Sequence, residues 1–531
     1  MKKATLHIIT LTLSVILVTS CKKIIDEKLV SGISAGSYYT TPEGFESLIN
    51  SCYNPMRTWY GQERGFTLTE YGVDTYTEGA DGDYKYFNQY TATLNPSSPY
   101  LDDLWTEFYK GINTCNTAID QAEKIPNLNG DTKIKRIAEA RFLRAQYYFI
   151  LVQTFGDVPM NVQPINTVIT EVNRVEASRI YDEVIVPDLK YAVDNLPEVQ
   201  SNYGRATKPA AEGILARVYL VLQKWAEAET LSKAVINNYN FQLSDSYGKI
   251  FDINNQRNSE VIWAVQFTKS PLLNGDGNSG HLYFLMGYDL EPGMKRDLEN
   301  GRPYKRFKLT PYGNALFNNN DQRYVEGFKR TFYSNNLSNA PAGMMLGDTA
   351  VYVTNEIVPD AIKQTKRYKI YDLTTINEAG GTRFLTPVKY LDNQRSDVNV
   401  TAGSRDFFVL RIAEMYLTAA EALFRQNKLE EAASYLNVLR EKRAVVGSSA
   451  AMRISASDVS LNFILDERGR ELFGEMQRWF DLKRTNTLIQ RVREYNTKAA
   501  ANIQEYHSLR PIPQTEIDRA SNLVSQNPGY Q

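Results

Sequence analysis

Histidine, cysteine and long apolar runs are all scarce in this 531-residue chain. There are 3 His and 3 Cys. His7 lies in the opening segment, and His281 and His507 stand far apart. No His-x-x-x-His or paired-Cys spacing occurs, which argues against a zinc centre. The Gly-x-Ser-x-Gly turn of a hydrolytic nucleophile is missing too. Neither sign of charge is in excess: 60 Lys and Arg face 61 Asp and Glu, for a net charge of −1. With no long run of like charge, nothing marks a nucleic-acid partner or a charged interaction tail. Beyond the first twenty residues no apolar stretch is long enough to span a bilayer. The remaining composition, 43% hydrophobic and 23% charged, is that of a globular protein with a large core.

What is present begins at the N-terminus. Lys2 and Lys3 precede "LHIITLTLSVILV", which is shorter than the roughly 20 residues of a spanning helix. The stretch runs into Val18-Thr19-Ser20-Cys21, which resembles the lipobox of bacterial lipoproteins. There, small residues precede a Cys that is diacylated and becomes the mature N-terminus. On this reading residues 1–20 are a lipoprotein signal peptide, Cys21 is the lipidation site, and residues 21–40 are the lipidated N-terminus and its tether. The alternative is an ordinary signal peptide that happens to contain Cys. Each buried methylene contributes about 0.8 kcal/mol, so two acyl chains anchor a protein firmly. Loss of Lys2 and Lys3 lowers the net charge by two. Cys52 and Cys115 remain, and their spacing does not show whether they meet.

The body, residues 41–531, reads as two helix-rich arms (41–240 and 407–531) around a loop-rich middle (241–406). Leu104, Phe108, Ile112, Cys115 and Ile119 fall at helical spacing, as do Ala138, Phe142, Ala145, Phe149 and Val152. In "EARFLRAQYYFILVQTFGDVP", Tyr147 and Tyr148 lie off the apolar stripe, so that helix needs neighbours on two sides. Gly156 and Pro159 terminate it. Two segments, around Leu215, Ala216, Tyr219 and Ala228 and around Tyr416, Ala420, Leu423, Ala432, Leu436 and Leu439, carry the spacings of tetratricopeptide helix pairs. The roughly 34-residue period is not sustained between them, so they support helix pairs rather than a regular superhelix. In the middle, "SEVIWAVQFT" reads as a short strand, and the rest as long connections.

Three patterns could carry chemistry. Gly275, Gly277 and Gly280 match a dinucleotide loop, but "KSPLLN" separates them from the candidate strand, so a flexible loop is the better reading. With Asn274, Asp276 and Asn278 the same loop faintly resembles a calcium site, but Leu285 stands where the closing Glu belongs. "DGD" at Asp81 to Asp83 is a second weak calcium candidate. Glu467 and Glu471 share a helix face and could serve a glycosidase. Arg468, Arg470, Arg478 and Arg484 crowd the same stretch and would lower their pKa values, which favours an Arg–Glu network.

Tyrosine is the surplus residue, with 34 copies against 22 Phe. It concentrates in "EYGVDTYTEGADGDYKYFNQY" and in "GYDLEPGMKRDLENGRPYKRFKLTPYGNALF". Sugar rings stack their C–H faces on such rings and need Asp, Asn, Gln or Arg at the rim. The same aromatics could instead pin long loops to a helical body.

Taken together, "EARFLRAQYYFILVQTFGDVP", "RIAEMYLTAAEAL", "LNVLREKRA", "ERGRELFGEMQRWFDLKR", "LRPIPQTEI" and the terminal "QNPGY" resemble the SusD/RagB family of bacterial surface lipoproteins. The resemblance covers both arms and is loosest in the middle and over residues 70–90. It implies an all-α fold of tetratricopeptide-like helix pairs with long loops packed on one side. It also implies a non-catalytic lid on a SusC-like TonB-dependent transporter of the outer membrane, capturing a glycan or, in some members, a peptide. No cofactor is implied, and calcium is left open. Family ligands bind the variable aromatic loops. Chemistry and position then nominate Asp74, Tyr84, Tyr86 and Phe87 from the first cluster and Tyr288, Arg302 and Tyr304 from the second.

Overall fold

The computed structural model describes residues 38–125, 128–378 and 380–530. The leader, Cys21 and most of the tether lie outside the described residues. The principal helices are α1 (Pro42–Ser51), α2 (Glu63–Glu70), α3 (Pro99–Ala122), α4 (Gly130–Phe155), α5 (Val186–Asn195), α6 (Lys208–Val221), α7 (Trp225–Asn238), α8 (Ile412–Arg425), α9 (Leu429–Lys442), α10 (Leu461–Glu471), α11 (Arg478–Arg484) and α12 (Leu488–Tyr495). Short strands punctuate the loops: β1 (Tyr76–Glu78), β2 (Val261–Val265), β3 (Phe307–Leu309), β4 (Thr331–Tyr333), β5 (Thr349–Val353), β6 (Lys369–Tyr371) and β7 (Phe407–Arg411).

Helix α4 explains its own crowding. The Asn129 side chain accepts from the N–H groups of Asp131 and Thr132 and caps the first turn. From Ile137 to Phe155 every residue but Arg141 is buried, because α3 packs on one side and α5 on another. Tyr147 and Tyr148 reach beyond the stripe. Tyr147 donates to the Cys52 carbonyl at 2.6 Å and Tyr148 to that of Asn161 at 2.9 Å. Gly156, at φ +75°, ends the helix with its N–H on Val152 at 2.9 Å, a backbone angle that a side chain would strain.

Helices α3 to α9 pack each on the next, so the fold is an all-α stack of tetratricopeptide-like pairs. Helix α7 lies directly against α8 although the whole middle region separates them in sequence. Spatially, then, the two pairs recognised in the sequence are neighbours, and the interrupted period reflects an insertion. Ala216, Ala228, Ala420 and Ala432 are fully buried and let these helices approach closely. Strand β2 pairs antiparallel with β7, Phe407 opposite Val265 and Arg411 opposite Val261. The two ends of the middle region therefore meet, and α8 starts at the next residue. Between them, β4, β5 and β6 form a three-stranded mixed sheet.

A lattice of ion pairs joins the middle to the C-terminal helices. Arg411 donates to Glu260 and Glu471, both at 3.0 Å, and to Glu475 at 2.7 Å. Arg443 donates to Glu260 at 2.8 Å and Glu471 at 3.0 Å. Arg323 reaches Asp321 and Glu467, each at 2.6 Å. All three guanidiniums are fully buried. An Arg–Glu network was expected here, but most of its arginines come from elsewhere in the chain: of the four in the same stretch only Arg470 pairs with Glu467, at 2.7 Å, while Arg468 and Arg484 meet Asp481 and Arg478 meets Asp74. Burial alone would raise Glu467 and Glu471, but Arg323, Arg470 and Arg440 hold Glu467 well below the ordinary range, and Arg443, Arg411 and Arg323 do the same for Glu471. A glycosidase acid needs the opposite shift, so this pair is structural.

Removing one member strands the others. Glu471→Gln is expected to cost about 3–5 kcal/mol in urea unfolding. The network also sets an acid limit. These carboxyls are more acidic folded than unfolded, so the unfolded chain takes up protons first as pH falls. Their contribution is complete above the ordinary Glu value of 4.5 and fades as pH drops through the folded values, about 2 for Asp481, which burial opposes and Arg468 and Arg484 lower. Glu70, raised by burial to about 8, is protonated in the folded state throughout this range, and its unfolded form completes protonation about one pH unit below 4.5, so it opposes the fall only at the top of the range. Thermal midpoints measured from about pH 4.5 to pH 2.5 should fall steadily, and less steeply in Glu471→Gln.

Candidate functional site

The two aromatic clusters of the sequence are brought together by one small sheet. Strand β1 pairs antiparallel with β3, Tyr76 opposite Leu309 and Glu78 opposite Phe307. The ladder continues past the strands: Gly79 N–H donates to the Arg306 carbonyl at 2.6 Å and Asp81 N–H to that of Lys305 at 3.2 Å. On the other side Tyr304 and Arg306 donate to the carbonyls of Leu282 and Tyr283 at 2.8 and 2.9 Å. Gly79 is required by this approach, since a Cβ there would lie 2.3 Å from the Lys305 oxygen. Lys305 itself adopts φ +46°. The Lys85 ammonium closes the loop between the strands on the Ala80 carbonyl at 2.7 Å.

The result is an open aromatic face. Tyr84 stacks on Tyr100 with centroids 3.9 Å apart and planes at 26°, and Tyr86 meets Tyr84 edge-on at 6.1 Å. Tyr283 and Tyr304 lie 6.2 Å apart. The Arg306 guanidinium sits 5.4 Å from the Tyr283 ring and 5.1 Å from that of Tyr304, and Arg302 is 5.4 Å from Tyr304. Burial raises the Tyr100 phenol, and Tyr84 and Tyr283 add to that rise. Tyr84, Tyr86, Tyr100, Arg302, Tyr304 and Arg306 are all half-buried, with part of each side chain open to solvent.

Charges on this face are matched in pairs. Lys305 meets Asp81 at 2.8 Å, Arg64 meets Asp103 at 3.3 Å, and Arg306 is in close contact with Glu63. Burial lowers Arg306 to about 10, which leaves it a cation at neutral pH. Arg302 has no carboxylate partner among the described residues; its nearest acceptor is the Asn399 carbonyl at 3.4 Å.

Four of the seven residues nominated from sequence, Tyr84, Tyr86, Arg302 and Tyr304, lie on this face. The other three are interior. Asp74 is fully buried, with Arg478 on its two oxygens at 2.7 and 2.6 Å and Arg491 at 2.6 Å. Those partners outweigh burial and hold its carboxyl below its ordinary value. Phe87 is fully buried beside Arg510, whose guanidinium lies 5.6 Å from its ring. Tyr288 is fully buried too, stacked on Phe332 at 5.3 Å and 10° with its hydroxyl on the Gly301 carbonyl. These three hold the loops rather than face solvent. Sequence reasoning missed Tyr100, half-exposed on the first turn of α3, and the buried Tyr283 beside Tyr304, within "HLYFLMGY". Only the aromatic density of the latter offered a signal.

The glycine loop is tied to the segment around Gly403. Asn278 exchanges backbone bonds with Gly403 at 3.0 and 3.1 Å, and its side chain donates to the Arg405 carbonyl at 2.8 Å. Asn274 donates to the Gly403 carbonyl at 2.9 Å. Among the described residues no cluster of three or more His, Cys, Asp or Glu could hold a metal ion. Two cavities of about 690 Å³ lie elsewhere, one walled by Tyr53, Arg205 and Tyr203, the other by Tyr109, Asn113 and Met160. Neither contains a nominated residue.

The SusD family model matches residues 229–530, more than half of the chain. The chain belongs to the SusD family. A second model, described as "Starch-binding associating with outer membrane", matches residues 37–220. Among SusD relatives, SusD-like protein P2 of Formosa agariphila is 27% identical, with 100% of both chains covered. The starch-binding protein SusD of Bacteroides thetaiotaomicron is 25% identical, covering 82% of this chain and 80% of its own. Surface glycan-binding protein A of the same organism, solved in complex with laminarihexaose, shares the fold with a TM-score of 0.68 at 19% identity, over 92% of this chain and 99% of that one.

The seam between β1 and β3 can be tested directly. Gly79→Ala forces a methyl group against the Lys305 carbonyl and should cost about 1–3 kcal/mol of stability. Faster amide exchange confined to residues 78–81 and 305–307 would locate the damage at the seam.

Proposed function

We propose that this protein is a surface-exposed lipoprotein that captures an oligosaccharide on the Tyr84–Tyr100–Tyr304 face and delivers it to a SusC-like TonB-dependent transporter of the outer membrane. The observation that carries this reading is the meeting of two remote aromatic segments on one open, charge-balanced surface. Stacked phenol rings offer flat apolar platforms to sugar C–H faces, and Arg302 supplies donors for hydroxyl groups at the rim. Asp81, Asp103 and Glu63 are matched by basic partners, which leaves Arg302 as the donor open to a ligand. The starch and laminarihexaose in the names of the SusD relative and of the structural neighbour support a neutral glucan. The protein binds without transforming its ligand, since the one carboxylate pair suggestive of hydrolysis is locked among arginines.

Single stacking contacts contribute about 1 kcal/mol, so affinity is modest and avidity from many tethered copies matters. In calorimetric titration with starch- and laminarin-derived oligosaccharides, one of these glucans should bind, and Tyr304→Ala should weaken it about fivefold. Binding of peptides alone would replace the glycan reading, and release of shortened sugars would overturn the binding-only one.

Anchoring is by acyl chains on Cys21, and the folded body hangs from the tether that follows it. Cys21→Ala should move the protein from the membrane fraction to the soluble fraction. Retention of the variant in the membrane would sink the lipid anchor.

A further inference from the structure

Two thiols meet in the N-terminal arm, and ligand binding uses neither. Cys52 follows the last residue of α1, Cys115 lies in α3, and both are free and fully buried. Helices α1 and α3 pack directly on each other. Tyr147 of α4 fixes both flanks. Its hydroxyl donates to the Cys52 carbonyl at 2.6 Å, and its ring presses on α3 at Gly111, where a Cβ would come within 2.8 Å of it. Cys115 is one turn beyond Gly111 on the same helix face. The Cys52 thiol donates to the Leu48 carbonyl at 3.4 Å, and beside the effect of burial Cys115 adds to the rise in its pKa.

We propose that Cys52 and Cys115 are joined as a disulfide in the exported protein, and that the structure describes the dithiol form. The inference rests on the export reading above, because such bonds persist in oxidising compartments and not in the cytosol. The oxidant is a thiol–disulfide oxidoreductase in its disulfide state. One cysteine thiolate attacks that disulfide and forms a mixed disulfide. The second thiolate then attacks the protein sulfur and releases the oxidoreductase as a dithiol. The two cysteines lose two protons and two electrons, and the oxidoreductase takes them up. Exchange needs a thiolate, and burial raises the Cys52 thiol well above its ordinary value. The bond therefore forms while the arm is still open and is shielded once α4 closes over it.

The segment between the two cysteines contains β1, Gly79, Tyr84, Tyr86 and Tyr100, which is the whole first wall of the aromatic face. A bond at its base would tie that wall to the helical stack at both ends.

The test is thiol mapping of the wild-type protein from cell envelopes, alkylated in denaturant before any reduction. The expected result is a Cys52–Cys115 cross-linked peptide with neither thiol alkylated, together with a lower thermal midpoint after reduction. Alkylation of both thiols overturns the proposal. Acylation of Cys21 in the same sample separates the two failures. Free thiols on an acylated chain refute the disulfide and leave export intact, whereas free thiols on an unacylated chain refute both.

Discussion

Three fully buried guanidiniums hold this molecule's regions in register. Arg411 ends the strand that closes the loop-rich middle, Arg443 follows α9, and Arg323 belongs to the middle itself. They converge on Glu260, Glu467, Glu471 and Glu475, which come from the opening of the middle and from the segment around α10. Dehydrating so many charges is costly, and it is offset only if every donor finds its acceptor. That demand makes the arrangement all or none. Apolar packing would tolerate a slipped loop, whereas a stranded charge would not. We regard the lattice as the reason that a long insertion between two helical pairs can have one defined position.

The same device reaches the aromatic face. Asp74 lies two residues before β1 and is gripped by Arg478 of α11 and Arg491 of α12. Those helices thus anchor the first aromatic wall, and the β1–β3 ladder transmits that anchoring to the second. Sites for extended sugars gain from such rigidity, because each stacking contact is weak and is lost if the ring must first be ordered. The loops can vary at their tips, where Tyr84, Arg302 and Tyr304 are half-exposed, while their bases stay tied to the stack.

Family membership and the outline of the fold were legible early because their signals are local. Apolar spacing in α4, the terminating Gly156, the alanines of the α6–α7 and α8–α9 pairs and the strand at Val261–Val265 each follow from residues near one another in the chain. That Glu467 and Glu471 would be held by arginines was readable, but which arginines was not: apart from Arg470, the partners Arg323, Arg411, Arg440 and Arg443 lie outside that segment. The aromatic face was only half readable. Composition located the right segments, yet it could not tell Tyr84 from Phe87 or Tyr304 from Tyr288. Within each cluster alternate aromatics turn inward or outward, and that depends on partners far away, such as Phe332 for Tyr288 and Arg510 for Phe87.

Asp74 illustrates the limit. In sequence it is an acid amid tyrosines, the composition of a sugar-binding rim, and its two arginine partners lie more than 400 residues downstream. By itself the sequence determined the helical pairs and their breaks, which depend on short-range periodicity and steric preference. Only the tertiary structure decided which aromatics reach solvent, that α7 meets α8 across the insertion, and that Cys52 and Cys115 share one buried niche. Those outcomes depend on which remote surfaces exclude water together, a collective property of the packed chain that no short window of residues contains.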